Sequence, residues 1–104
     1  MGEYSVSITD LAKQDIRRIA SYIRNDLHEP EIAKQMAVTI VDAIQTLEDM
    51  PLRVKPVNDE RLAEKGIRGL GIESYTAFFR VDDRQKTVEI IRVLYSRRGW
   101  QALL

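Results

Sequence analysis

Cationic and aromatic side chains are concentrated where the last predicted strand of this chain ends. They are Arg92, Tyr95, Arg97, Arg98 and Trp100, and we call them the C-terminal rim. A guanidinium group donates hydrogen bonds in a planar fork that matches carboxylates and phosphates, and it also stacks on aromatic rings. The pattern therefore indicates a surface that binds an anionic or extended partner.

Each rim residue also has a purely structural interpretation. Arg97 and Arg98 are compatible with solvated charges that follow a strand. Trp100 is of a type that more often packs a chain end onto the core than it serves as a stacking platform. Tyr95 acts as an acid or base only if its phenol is tuned for that purpose. The clustering of these side chains with Arg92 is what favours a functional role.

Other residues that could do chemistry are few. Arg68, at the start of another predicted strand, suits either a phosphate contact or an ion pair with Glu73. The sequence has no cysteine and a single histidine, His28, so neither a thiolate nucleophile nor an ordinary zinc site is expected. We therefore expect no metal and no cofactor.

Charge and composition limit the classes of partner. The 16 basic side chains equal the 16 acidic ones, so no overall field attracts the chain to nucleic acid or to an anionic membrane. No apolar run approaches the roughly 18 residues that span a bilayer, and no signal-like region begins the sequence. We expect a cytoplasmic protein without membrane contact, folded as a single domain over residues 1–104.

The first half of the chain shows the periods of one strand and two helices. Tyr4, Val6 and Ile8 alternate with serines, which predicts a short strand. Apolar residues then recur every three or four positions, which predicts an amphipathic helix that begins after Thr9 and ends near His28.

A second apolar stripe predicts another helix from Pro30 to Pro51. The short link between the two helices makes them antiparallel neighbours. Residues 52–65 have no period and predict a surface loop, with a brief helical turn at Glu60 to Glu64.

The last third of the chain has a period of two, typical of strands. The predicted strands are Arg68 to Ser74, Tyr75 to Val81 and Thr87 to Ser96, with a hairpin connection at Asp83 to Lys86. A symmetric hairpin places Arg80 opposite Glu89, and these opposite charges support that register. It also places the following pairs opposite each other: Phe78 and Ile91, Thr76 and Val93, Ser74 and Tyr95.

This register has consequences for the last strand. Both of its faces are apolar, so we expect it to be central in the sheet, with a second face that meets something other than water, such as a partner protein. Leu94 then falls on the face covered by the helices, and Arg92 falls on that face too, where a charge is unexpected. A register shift by one residue would exchange the faces.

The predicted class is α+β in the order β-α-α-β-β-β, with two antiparallel helices packed on one face of a small, mainly antiparallel sheet.

Several segments resemble the RelE/ParE toxin superfamily, the toxins of type II toxin–antitoxin modules, including plasmid-stabilisation types. They are Ile67-Arg68-Gly69-Leu70, Phe78-Phe79-Arg80-Val81-Asp82 and Ile91-Arg92-Val93-Leu94-Tyr95-Ser96-Arg97-Arg98-Gly99-Trp100. The resemblance covers nearly the whole chain. It implies an intracellular growth inhibitor that a cognate antitoxin holds inactive. The assembly would be either a toxin–antitoxin hetero-oligomer or a homodimer of the toxin.

The resemblance implies two alternative mechanisms. RelE-like members cut mRNA on the ribosome without a metal, with arginine, lysine, tyrosine or histidine side chains that stabilise phosphate charge and transfer protons. By this resemblance the catalytic residues would be Arg68, Arg92, Tyr95 and Arg97. ParE-like members inhibit DNA gyrase without nuclease chemistry, and the target-binding residues would be Tyr95, Arg97, Arg98 and Trp100.

The sequence departs from the nuclease pattern in one strand. Thr76 stands where RelE-like nucleases tend to place an arginine, and no histidine lies near the predicted sheet. The neutral overall charge also suits ribosomal RNA poorly. We therefore favour gyrase inhibition, with ribosome-dependent mRNA cleavage and an inactive, antitoxin-binding relic as the alternatives.

Overall fold

The computed structural model describes residues 2–104 and contains an α+β fold. Its sheet has four strands in the order β1-β4-β3-β2, with β1 parallel to β4 and the other pairs antiparallel. The strands are β1 (Ser5–Ile8), β2 (Arg68–Ile72), β3 (Tyr75–Asp82) and β4 (Thr87–Tyr95). The helices are α1 (Asp10–Ser21), α2 (Pro30–Gln45) and the short α3 (Glu60–Glu64). The predicted class, and the central position of the last strand, are confirmed.

Thr9 joins the first strand to the first helix. Its hydroxyl accepts a hydrogen bond from the backbone N–H of Ala12 and donates one to the carbonyl of Ile90 in β4. The cap of α1 is therefore also attached to the central strand. Beyond Ser21 the helix widens into a π-turn at Tyr22–Asp26, and the chain reverses at His28 with a positive φ of 57°.

The second helix ends earlier than the sequence predicts. The α-helix stops at Gln45, two short 3₁₀ turns follow at Thr46–Glu48 and Pro51–Arg53, and Met50 between them has a φ of 47°. Leu47 is buried in the first 3₁₀ turn, so the apolar stripe continues past the end of the α-helix in a tighter helical turn. The predicted turn at Glu60–Glu64 is present as α3, where the Asp59 carboxylate caps the N–H of Leu62.

The predicted register holds only near the hairpin. Arg80 lies opposite Glu89 as expected, but a bulge at Ile91 shifts the pairs beyond it. The observed pairs are Phe78 with Arg92, Ala77 with Val93, Thr76 with Leu94 and Tyr75 with Tyr95. The predicted pairs that involve Phe78, Thr76 and Ser74 are therefore wrong, because a bulge adds one unpaired residue to one strand.

The bulge also exchanges the faces of the residues that follow it. Val93, rather than Leu94, packs into the core that the helices cover, and Leu94 joins a second apolar cluster with Leu62, Ile67 and Phe78. That second face does meet something other than water. Its cover includes the chain's own C-terminal residues Trp100, Leu103 and Leu104, which pack against the cluster.

No helix in the described part of the chain has both the length and the apolar character that crossing a bilayer requires.

Candidate functional site

Three residues of the C-terminal rim, Tyr95, Arg97 and Arg98, are exposed where β4 ends and the chain approaches the final 3₁₀ turn. Backbone hydrogen bonds shape this segment: Ser96 N–H donates to Ser74, and Arg98 N–H donates to Tyr95, at 2.9 and 3.0 Å. Arg97 and Arg98 are exposed, and neither forms an ion pair with any residue from 2 to 104. Two guanidinium groups are therefore available at this edge of the sheet.

Trp100 anchors the far end of the segment. It is half-buried, and its ring lies 4.9 Å from the ring of Phe78, with 40° between the planes. Leu103 and Leu104 pack against the same cluster. An indole held in this way fixes where the rim ends, and its packing matches the structural interpretation of this residue.

Arg92 is separated from the rest of the rim because it is buried. Arg92 is 8% exposed, and its Nε and Nη2 donate to the two carboxylate oxygens of Asp15 at 2.7 and 2.9 Å. Asp15 Oδ2 also accepts the N–H of Val93 at 3.0 Å. The hydrogen bonds that Arg92 donates to Asp15 raise the pKa of Arg92, although burial alone would lower it. This guanidinium ties α1 to β4 and does not face solvent.

Asp15 was missed by the sequence reasoning, although the pattern contained a signal for it. It lies three residues after Ala12 and four before Ile19, so it is a carboxylate within the apolar stripe of α1. Arg92 was the unexpected charge on the face of the sheet that the helices cover. Two opposite charges that both fall on buried faces predict each other as partners.

Arg68 lies apart from the rim as well. It is opposite Phe79 in the β2–β3 pairing, whereas Tyr95 is opposite Tyr75 at the other end of β3. Those two positions on β3 are about 13 Å apart at roughly 3.3 Å per residue. The Arg68 Nη1 donates to the carbonyl of Val54 at 2.6 Å, and Arg68 forms no ion pair with Glu73 within residues 2–104.

Of the four residues that a ribonuclease would use, only Tyr95 and Arg97 are brought together. They line an open cleft of about 390 Å³ with Glu73, Ser74 and Ser96. Thr76, the residue in the position of a missing arginine, donates to or accepts from the hydroxyl of Ser96 at 2.7 Å. The cleft therefore contains a phenol, one guanidinium and the carboxylate of Glu73, but not the further arginines that the resemblance assigns to phosphate binding.

A second cleft lies on the other side of Tyr95, between α1 and the end of β4. We call it the tyrosine groove; its volume is about 470 Å³. Its lining residues are Asp15, Arg18, Ile19, Tyr22, Tyr75, Val93, Leu94, Tyr95 and Arg98. The rings of Tyr75 and Tyr95 meet edge to face with 6.0 Å between their centres. Burial, and then the nearby Tyr22 and Tyr95, raise the pKa of Tyr75.

Sequence reasoning did not find Arg18 and Tyr22 as groove residues. They lie four residues apart, and Asp15 precedes Arg18 by three, so all three share one face of α1 and the π-turn that continues it. This spacing was visible in the sequence, but the groove exists only because β4 lies against that face.

Within residues 2–104, no three histidine, cysteine, aspartate or glutamate side chains come together in a way that would hold a metal ion. His28 lies at the chain reversal between the π-turn and α2.

Comparisons with known proteins connect this architecture to one family. The family model described as the ParE toxin of the type II toxin–antitoxin system, parDE, matches residues 6–100. No curated protein sequence matches the chain significantly.

Solved structures give the same connection. A chain of the chromosomal ParDE toxin–antitoxin system from P. aeruginosa is 25% identical, with a TM-score of 0.74 over 88% of this chain and 95% of the other. A chain of the toxin–antitoxin complex RelBE2 from Mycobacterium tuberculosis is 28% identical, with a TM-score of 0.64 over 88% and 96%. A mutant of the E. coli toxin RelE in the free state, 15% identical, shares the fold with a TM-score of 0.52 over 95% and 88%. With the family model matched across the sheet, both long helices and the rim, the chain belongs to the ParE toxin family of type II toxin–antitoxin systems.

Proposed function

We propose that this chain inhibits growth by binding DNA gyrase through the C-terminal rim, and that a cognate antitoxin neutralises it in the cytoplasm. Residues 1–104 act as a single domain in this proposal. The observation that carries it is which guanidinium groups are exposed and which are held in an ion pair. Arg97 and Arg98 are exposed without an ion pair in residues 2–104, whereas Arg92 is occupied by Asp15. A surface with two available arginines beside Tyr95 suits the recognition of a protein target.

The antitoxin is proposed as a partner because the similar solved structures come from toxin–antitoxin systems. The complex would be a hetero-oligomer of toxin and antitoxin. The alternative is a homodimer of the free toxin. Light scattering distinguishes the two assemblies by their molecular mass.

The test is induction of the chain alone and together with its antitoxin, taken as the product of the adjacent reading frame. Growth, plasmid supercoiling by purified gyrase and transcript integrity are measured in parallel. We expect growth arrest and loss of supercoiling with intact transcripts, and relief of both effects by the antitoxin. Normal supercoiling at a stoichiometric excess of the chain would contradict gyrase as the target.

A pair of variants tests whether the rim carries the binding. Arg97→Ala combined with Arg98→Ala should weaken inhibition of gyrase at least tenfold, because a hydrogen bond to a charged group is worth about 1.5–3 kcal/mol. Arg84→Ala is the matched control, since Arg84 is an exposed arginine in the β3–β4 hairpin. Both proteins should keep the wild-type melting temperature, because exposed charges contribute little to stability.

The ribonuclease alternative is favoured by one observation, the cleft that Tyr95 and Arg97 share. If transcripts are cut on ribosomes after induction, Tyr95→Phe should reduce cleavage about 10²-fold or more, in the range of a lost general acid or base. Harmless expression without the antitoxin, with antitoxin binding retained, would instead support an inactive relic.

A further inference from the structure

The tyrosine groove is bordered by a strand edge that lacks a neighbour. β1 pairs with β4 only as far as Ile8 and Ile90, so at residues 93–95 the edge of β4 opposite β3 has no strand from residues 2–104 beside it. Helix α1 lies beside this edge, attached through Asp15 to Arg92 and Val93. The groove is the space that remains between that helix and the end of the strand, and its volume of about 470 Å³ lies in the range of roughly 300–1,000 Å³ that is typical of binding pockets.

The walls of the groove carry exposed aromatic surface. Tyr22 is 52% exposed and Tyr95 is 46% exposed, although both are large amphipathic side chains. Tyrosine is enriched at protein interfaces because its ring buries apolar area while its hydroxyl keeps a hydrogen bond. Ile19 and Val93 add aliphatic side chains to the lining of the same groove.

The charges of the groove select an acidic occupant. Arg18 and Arg98 line it, and neither has an ion-pair partner among residues 2–104. Asp15 is the one carboxylate in the described lining, and its oxygens accept from Arg92 and from Val93. The groove therefore offers two unpaired positive charges to a visiting carboxylate, with no unpaired negative charge to repel it.

The same contacts argue against other modes of binding. Asp15 occupies the N–H of Val93, so an incoming strand cannot use that group to extend the sheet, and recognition must rest on side chains. Two arginines in a protein of zero net charge also provide little of the phosphate neutralisation on which nucleic-acid affinity depends.

We infer that the tyrosine groove binds a segment of the antitoxin that carries carboxylates for Arg18 and Arg98 and an apolar side chain between Tyr22 and Tyr95. This inference rests on the proposed function and names the surface through which it is regulated. Because Tyr95 and Arg98 belong to both the groove and the C-terminal rim, a bound antitoxin segment withdraws them from the target. Neutralisation is then direct competition for shared residues.

The test separates the groove from the rim with variants on two neighbouring positions of α1. Arg18→Glu places a negative charge in the groove, and Arg17→Glu makes the same charge change at an exposed arginine outside its lining. The probe is the full-length product of the adjacent reading frame, and its Kd for each variant is measured by titration calorimetry. Arg18→Glu should weaken binding at least tenfold because like charges then face each other, and Arg17→Glu should leave the Kd within about twofold.

A second variant and a growth assay complete the design. Tyr22→Ala removes aromatic surface without a change of charge and should also weaken binding at least tenfold. Cells that express Arg18→Glu should still arrest without the antitoxin, but the antitoxin should no longer rescue them. Melting temperatures within 2–4 °C of wild type, the shift that about 0.5 kcal/mol produces, exclude misfolding as the cause.

Other results would overturn the inference. Equal Kd values for Arg17→Glu, Arg18→Glu and wild type would place the antitoxin elsewhere, while gyrase inhibition by the same proteins would leave the proposed function standing. Self-association of wild type that Arg18→Glu abolishes would assign the groove to a second copy of the chain. If wild type binds the antitoxin through the groove but leaves gyrase unaffected, the inference about the groove holds and the proposed target falls.

Discussion

At the scale of single residues, the buried pair of Asp15 and Arg92 links α1 to the central strand. Both charges lie in the core, but every carboxylate oxygen has a donor and two guanidinium nitrogens are used. Burial of a charge is tolerated only when such partners replace water. The pair therefore aligns α1 with β4 just before the strand reaches the rim, and it positions Tyr95 and the arginines that follow.

Removal of the Asp15 carboxylate should destabilise the fold strongly. Asp15→Ala leaves the guanidinium of Arg92 buried without its partner, and we expect the free energy of unfolding to fall by about 3–5 kcal/mol in urea titrations. Glu89→Gln is the control, because the Arg80–Glu89 pair is exposed at 3.5 Å and should change stability by less than about 1 kcal/mol. If Asp15→Ala lowers the free energy of unfolding by less than about 1 kcal/mol, water must reach the guanidinium of Arg92.

At the scale of elements, the short strand β1 depends on a polar cluster at the β3–β4 hairpin. The hydroxyl of Tyr4 donates to the carboxylate of Asp83, and Lys86 Nζ lies 3.1 Å from Asp83 and 3.4 Å from Glu3. Backbone bonds add to this attachment, since the N–H of Ser5 donates to the carbonyl of Lys86 at 2.9 Å. The cluster holds the N-terminal end of β1 against the start of β4.

This cluster predicts a pH dependence of stability. The hydrogen bond from Tyr4, and then the contacts with Lys86, lower the pKa of Asp83 from its ordinary value of 3.8. Its folded pKa is below the unfolded one, so its contribution is present above pH 4 or so and is lost as pH falls through the folded pKa. Denaturation titrations of wild type and Asp83→Asn should therefore differ at pH 7 and converge near pH 2.

At alkaline pH, the stability contributed by this cluster falls as pH rises. Hydrogen bonds from Lys86 to Asp83 and Tyr4 raise the pKa of Lys86, and the bond to Asp83 raises the pKa of Tyr4. Groups with raised folded pKa values stabilise below their unfolded pKa and lose that effect as pH rises. A constant difference between wild type and Asp83→Asn from pH 2 to pH 11 would contradict the cluster.

At the scale of the whole molecule, the sheet is covered on both faces by different means. The helices cover one face through the larger cluster, while α3, the preceding loop and the C-terminal residues cover the other. A sheet buried on both faces explains why β4 is apolar on both sides. The exposed rim residues Tyr95, Arg97 and Arg98 lie where β4 ends, and Trp100 packs on Phe78 just after them, so their position depends on that packing.

Loss of the contact between Trp100 and Phe78 should loosen the packing of the C-terminal residues on the second apolar cluster. Trp100→Ala removes the ring that contacts Phe78, and we expect a loss of about 2–3 kcal/mol, below the range of about 3–5 kcal/mol for a fully buried tryptophan. Dye binding to exposed apolar surface should rise at the same time. Gln101→Ala is the control in the same 3₁₀ turn, with an exposed side chain and an expected change within about 0.5 kcal/mol. Equal stability of the two variants would show that Trp100 is free for a partner.

Local patterns in the sequence determined most of the elements of this protein. The period of the apolar residues predicted both long helices and three consecutive strands, and the polar residues at Asp83 to Lys86 predicted the hairpin, because these features depend on neighbours within a few positions. The segments from Ile67 to Trp100 also carried the family resemblance that the comparisons confirm.

Only the tertiary structure decided which charges remain available. The bulge at Ile91 is a property of the pairing between two strands, and it moved Val93 and Leu94 to faces that a regular alternation does not predict. Asp15 and Arg92 meet across 77 positions of sequence, so neither local period nor propensity specifies their contact. That contact removes one arginine from the predicted rim and leaves Arg97 and Arg98 exposed, since a buried guanidinium must be paired whereas an exposed one need not be.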